Sequence, residues 1–296
     1  MKTFSLQKPN GKTITATAFE PSSPKGKTLL ISAATGIKQK FYYHFAEYCA
    51  EAGYHVYTYD YSGIGLSKNG DLRGSEISYT TWGAEDFPAM VRFIRHQHGA
   101  QPMVLVGHSF GGNCLGVTGA TDEFEAIVTI ASQQGYWRNF GFWYRWVVLF
   151  VFAVSMPLLS KLFGYFPSKT HGLGEDLPKE VAEDWSKIIL NKEGIETLAS
   201  SPETWRKNLH PNMLVISISD DMLSPKKAVD NLAEISYSAT SIKRLHLTPK
   251  DGNAGPIGHL NFFRKQFRDT LWQIPLQWFE QELTKHDVKR SASHYV

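Results

Sequence analysis

At 296 residues, with 42% hydrophobic and 13% aromatic side chains, the chain is long enough for one large domain or for a core domain carrying an insertion, and its composition excludes a disordered or repeat protein. A net charge of +3, with lysine and arginine scattered along the chain, leaves no basic stripe and argues against a nucleic-acid partner. The two cysteines, Cys49 and Cys114, stand in apolar segments without metal-ligand spacing and are expected as core thiols.

The opening MKTFSLQKPNGKTITATAF has no apolar stretch behind its lysine, so neither a secretory signal nor a membrane anchor is expected there, and the scarcity of cysteine makes the cytoplasm the default location. TITATAF (13–19) alternates as an edge or early strand, KTLLIS (27–32) is a short apolar run, and KFYYHFAEYCAEAG (40–53) has helical periodicity closing on Gly53. YHVYTYD (54–60) reads as a strand and WGAEDFPAMVRFIRHQHG (82–99) as a helix, with His96 and His98 expected at a solvated helix end rather than on a metal. The strand MVLVG (103–107), a helix from Ser109 and the strand AIVTIA (126–131) follow. Such alternation predicts an α/β fold, a mostly parallel sheet with helices on both faces.

From about Gly135 to His210 the pattern turns aromatic and helix-like with no clear strand. We therefore divide the chain into a core, 1–135 and 210–296, and a helical cap insertion, 136–209. Within the cap, WVVLFVFAVSMPLLS (146–160) is uncharged between Arg145 and Lys161, contains Pro157, and is shorter than the roughly 20 residues a crossing helix needs. The preferred reading is a buried or lid helix covering an apolar pocket, with membrane contact through the cap as the alternative. Alternation resumes with NMLVISIS (212–219), a helix around PKKAVDNLAEI (225–235), SIKRLHLT (241–248), helices at about 259–269 and 273–284, and a polar tail expected to fray.

The chemistry concentrates at VLVGHSFGGNC (104–114). Gly107-His108-Ser109-Phe110-Gly111 fits G-x-S-x-G, and although five letters alone are weak, a strand ends just before them and a small-residue helix begins just after, as a nucleophile turn requires. A serine hydroxyl needs an imidazole base oriented by a carboxylate. His259, in the glycine-rich NAGPIGHLNFFR after the last strand, is placed to be that base, while His108 is read as a pocket-wall or packing residue. Asp220 and Asp221 directly follow a strand between the serine and the histidine in the chain, and either could be the acid. The order serine, aspartate, histidine is that of one triad type among several.

These residues resemble an α/β-hydrolase fold protein over nearly the whole chain. TYDYSGIGLS (58–67) is similar to a D-x-R-G-x-G-x-S turn, with Ser62 where arginine is usual; GHSFGG is similar to the elbow, DDMLSP to a D-x-x-x-P acid loop and GHLNFFR to the histidine loop. More narrowly, AATGIKQKFYYHFAEYCAEAGYHVYTYDYSGIG and FGYFPSKTHGLGEDLPKEVAEDW resemble a bacterial group of α/β hydrolases related to monoglyceride lipase and the serine aminopeptidase-like hydrolases. The resemblance implies a triad of Ser109, Asp221 and His259, with Pro225 matching the acid-loop proline and selecting Asp221 over Asp220. It further implies oxyanion donors at the backbone N–H of Phe110 and of Thr35, which follows Ala33-Ala34 where a His-Gly pair is usual; Ala34 and Gly36 remain alternatives to Thr35.

The expected function is a serine hydrolase acting on a small-molecule carboxylic ester with an apolar acyl or alkyl group, without cofactor or metal. Cap residues Trp137, Phe142, Trp143 and Trp146, with His108, are the expected pocket lining. Acyl transfer to an alcohol or amine, thioester or amide cleavage, and a non-catalytic ligand receptor on the same fold are the alternatives.

Overall fold

The protein is described by a computed structural model over residues 1–199, 210–237 and 241–293. The end of the expected cap, 200–209, and the last three tail residues lie outside the described residues.

Eight strands form one sheet: β1 (Lys2–Gln7), β2 (Thr13–Phe19), β3 (Lys27–Ser32), β4 (Tyr54–Asp60), β5 (Met103–His108), β6 (Ala126–Ile130), β9 (Asn212–Ile218) and β10 (Ile242–Leu247). Two residue pairs, β7 (Tyr165–Phe166) and β8 (Leu177–Pro178), make a separate small ribbon. The sheet order is β1-β2-β4-β3-β5-β6-β9-β10, with β2 antiparallel to both neighbours and every other pairing parallel. Central strands read as continuous apolar runs because both faces are covered: all six residues of β5 are buried.

Alternation along β4 sends its side chains to opposite layers. The Tyr54 hydroxyl donates to Glu280 of the C-terminal helix Gln273–Ser293 at 2.9 Å. Three residues on, the Tyr57 ring packs 5.9 Å from Phe93 of the helix Phe87–His98 on the other side.

Several expectations are corrected. TITATAF is an early strand but not an edge one, because β1 pairs outside it and takes the edge. The helix after Ser109 runs only from Phe110 to Asn113 before tightening into a 3-10 turn, as a stretch this rich in glycine has little intrinsic helix stability. His259–Arg268 forms short 3-10 turns, Asn261–Phe263 and Lys265–Phe267, instead of a helix. The C-terminal helix, in contrast, runs to Ser293, well into the tail expected to fray.

One buried charge ties the β1–β2 turn to the core. Lys8 Nζ reaches Asp86 at 2.8 Å, Glu85 at 3.0 Å and Ser62 Oγ at 3.2 Å. Ser62 donates to the same aspartate through N–H at 2.7 Å and Oγ at 2.9 Å. Burial alone would pull the Lys8 ammonium below its ordinary value, but Asp86 and Glu85 outweigh it and the net shift is upward. A lysine from a distant turn therefore puts a cation beside residue 62, where the resembling family carries an arginine in the chain.

β6 and β9 are direct neighbours, so the chain between them leaves the sheet and returns beside its departure point. That excursion contains a helix spanning Tyr144–Phe163, the β7–β8 ribbon and a helix Lys179–Leu190. Pro157 does not end the long helix. Its missing N–H is absorbed by a wider π turn over Val151–Ser155, and Gly164, at φ 78°, terminates it.

Candidate active site

The chain leaves β3 toward β4 on one side and β5 toward β6, β9 and β10 on the other. At such a reversal the loops beyond the C-terminal strand ends part and leave a crevice. Four of the predicted residues sit on those loops: Thr35 after β3, Ser109 after β5, Asp221 after β9 and His259 after β10.

Ser109 adopts φ 51°, ψ −114°, a conformation that costs a non-glycine residue about 1–3 kcal/mol. The turn is pinned by Ser109 N–H donating to Ile130 O at 2.9 Å and by Gly112 and Asn113 N–H donating back to Ser109 O. Glycine is required by close approach. A Cβ on Gly111 would stand 2.0 Å from Ser32 O, and one on Gly107 would stand 2.7 Å from Gly111 O. Ser109 is partly exposed between a buried His108 and a buried Phe110, so the strained turn lifts one hydroxyl out of the core.

The two candidate acids part company. Asp221 Oδ2 accepts from His259 Nδ1 at 2.8 Å, and its Oδ1 accepts the N–H groups of Leu223 at 2.8 Å and Ser224 at 3.0 Å. Asp220 instead accepts the N–H groups of Ile257 at 3.0 Å and Gly258 at 3.1 Å, clamping the loop that carries His259. With its Nδ1–H engaged, His259 keeps Nε2 available as an acceptor. Ser109 Oγ makes no hydrogen bond among the described residues, so the structure joins the aspartate to the histidine and leaves the serine open; such bonds are often loose before substrate arrives.

His108 does not line a pocket. It is fully buried and both ring nitrogens are used: Nδ1 meets the Tyr42 hydroxyl at 2.8 Å and Nε2 meets His259 O at 2.8 Å. Burial pushes its pKa well below the ordinary 6.5, so it is a neutral ring donating Nε2–H to that carbonyl. Tyr42 donates to His108 and accepts Ala34 N–H at 3.0 Å. One chain of bonds thus links the loop after β3 to the loop of His259.

This chain also removes one oxyanion alternative, Ala34, while Gly36 N–H, like that of Thr35, has no acceptor among the described residues. Ala34 N–H is occupied by Tyr42, whereas Thr35 N–H has no acceptor among the described residues and Phe110, as the first helical residue, has no intrahelical partner. Tyr79 touches both: its hydroxyl lies 2.6 Å from Thr35 Oγ1, and its ring stacks on Phe110 at 4.2 Å. The ribbon loop braces the same place, with Glu175 N–H donating to Gly36 O at 2.8 Å.

The expected cap lining is not where it was read to be. Phe142, Trp143 and Trp146 face solvent, and Trp137 is half-buried against Trp146 at 5.6 Å, because the helix beginning at Tyr144 turns this aromatic cluster outward. Tyr144 is half-buried, its ring 6.0 Å from Phe140, and burial, with the negative charge of Asp221 adding to it, raises its pKa. Met222 and Leu223, directly after Asp221, are exposed and apolar, as is Leu173, whose backbone carbonyl lies close to Gly36. Tyr42, Tyr79 and Ser224, which donates to Ala131 O at 2.7 Å, were missed because nothing in their local spacing marks them.

The winding of the sheet and the strained turn that closes β5 place the molecule among α/β proteins with a mostly parallel sheet. Residues 29–262 match the family described as alpha/beta hydrolase fold, and the chain belongs to that family. It is similar to abhydrolase domain-containing protein 2 of Drosophila melanogaster, at 24% identity over 93% of this chain and 73% of that one. Among solved structures it resembles a thermostable carboxyl esterase from Bacillus coagulans (TM-score 0.65, 13% identity, 95% and 98% of the two chains). The esterase domain of a Rhodothermus marinus protein is similar as well (TM-score 0.55, 17% identity, 94% and 96%).

Proposed function

We propose that the chain is a serine hydrolase that cleaves carboxylic esters bearing an apolar acyl or alkyl group. The observation that carries this reading is the 2.8 Å Asp221–His259 bond on the same sheet edge as a serine strained to φ 51°. Ser109 Oγ attacks the ester carbonyl as His259 Nε2 takes its proton, and Asp221 holds the imidazole and stabilises the imidazolium. The N–H groups of Phe110 and Thr35 receive the developing oxyanion, each contributing roughly 3 kcal/mol by precedent. The alkoxide leaves with the proton from His259, and water, activated by the same imidazole, releases the acid and restores Ser109. Leu173, Met222 and Leu223 favour an apolar substituent on the ester.

A fluorophosphonate should label Ser109, and p-nitrophenyl esters of increasing chain length should show kcat/KM rising with acyl length. Labelling and hydrolysis that persist unchanged in Ser109→Ala would refute the assignment.

A further inference from the structure

The helix Tyr144–Phe163 is strongly apolar, with a mean hydropathy of 2.0 over its best stretch, and only 17% of that stretch is buried. Its inner face is accounted for: Met156 is in the core, Val148 packs beneath Phe140, and Phe152 sits 5.1 Å from Trp185. Its outer face is not. Trp143, Val147, Phe150, Val154, Leu158 and Leu162 recur at steps of three and four and form one exposed stripe, with Trp143 at 82% and Leu162 at 71% of full exposure. Of the expectation of a buried or lid helix, the buried alternative is thereby corrected. A soluble monomer seldom leaves a continuous apolar patch of this kind uncovered.

Charge identifies what covers it. From Ala126 to Gly174 the sequence has no aspartate or glutamate, yet it carries Arg138, Arg145 and Lys161 around the stripe. None of the three pairs with a carboxylate among the described residues, and Arg145 lies over the rings of Phe142 at 4.5 Å and Trp146 at 5.4 Å. The neighbouring Lys169 is neutralised by Glu175 at 3.1 Å, and Arg73, which caps Phe163 O at 3.0 Å, has Asp71 beside it at 3.4 Å. An apolar stripe edged by unpaired cations and by amphipathic tryptophans fits the boundary between acyl chains and anionic headgroups.

We propose that this face docks on an anionic phospholipid bilayer, the helix lying in the plane of the membrane. It does not cross, because its inner face is packed along the domain. Docking does not depend on the ester reading, since binding can succeed where hydrolysis fails.

The test is co-sedimentation with vesicles of phosphatidylcholine alone and with about one third phosphatidylglycerol. The protein should pellet with the anionic vesicles and be released by salt. The triple variant Phe150→Glu/Leu158→Glu/Leu162→Glu should lose at least about thirty-fold in affinity, and Arg138→Ala or Lys161→Ala roughly five-fold each. Acyl-chain-brominated lipids should quench the tryptophan emission of the unaltered protein, a readout that requires no variant to fold. The proposal fails if the unaltered protein neither pellets nor is quenched, or if the triple variant binds as well as the parent. It fails equally if the vesicles are ignored while the protein is a dimer that the triple variant dissociates, since a second copy would then be the cover.

Discussion

Two regions a short distance apart are built on opposite terms. Around Ser109 the polar groups of the loops are tied to one another: Asp221 to His259, Asp220 to the histidine loop, and Tyr42 and His108 from Ala34 across to His259 O. Along the outer face of Tyr144–Phe163 the stripe is apolar side chains facing outward, bordered by cations that pair with no carboxylate among the described residues. Buried hydrogen bonds have direction, so the loops of the first region are held to one arrangement; apolar contact has none, so the second is specified only by pattern and area. A substitution should therefore be costly in the first and silent in the second unless the outer partner is present.

The largest expected effect separates the two acids. Asp221→Asn should lower kcat by about 10⁴, as loss of the orienting carboxylate does in other triads, while Asp220→Asn should cost only about ten-fold by loosening the loop of His259. Steady-state kinetics on a soluble ester reads both, and equal losses would dissolve the distinction drawn from their hydrogen bonds.

Next comes the buried cation. Lys8→Met leaves Asp86 charged and unpaired and should destabilise the fold by about 3–5 kcal/mol, with Lys8→Met/Asp86→Leu recovering most of it in denaturant melts. A single variant as stable as the parent would mean the pair is incidental.

The third prediction concerns pH. His108 is held neutral in the folded protein, whereas in the unfolded chain it titrates at about the ordinary 6.5. Below that value the unfolded state binds the extra proton, so stability falls with decreasing pH by up to about 1.4 kcal/mol per unit from this residue. Chemical denaturation at pH 5 and 7 should show that slope in the parent and lose it in His108→Phe.

The smallest effect is expected on the helix. Phe150→Ser/Leu158→Ser should change thermal stability by no more than about 0.5 kcal/mol and leave hydrolysis of a short soluble ester unaltered. A large loss of either would show that the outer face supports the fold.

The strand runs were legible at KTLLIS, YHVYTYD and AIVTIA because burial on both faces of a parallel sheet imprints an apolar run with β-branched and aromatic residues. The elbow was legible for a similar reason: close backbone contacts at Gly107 and Gly111 tolerate no other residue, so a steric demand is written as letters. Lys8 and Tyr79 were not legible, since each acts across dozens of residues of chain on a partner that local spacing cannot indicate. Exposure of the long helix was hidden too, because a strongly apolar helix reads the same in a core and on a surface.

What the amino-acid sequence determined by itself was therefore local: the strands, the turn that strains Ser109, and the chain order in which an aspartate and a histidine follow it. Which aspartate meets the histidine, which N–H groups stay unoccupied, and which face of the apolar helix is left bare were decided only when the loops and helices packed. Those outcomes depend on direction and occupancy between residues distant in the chain, and no periodicity records them.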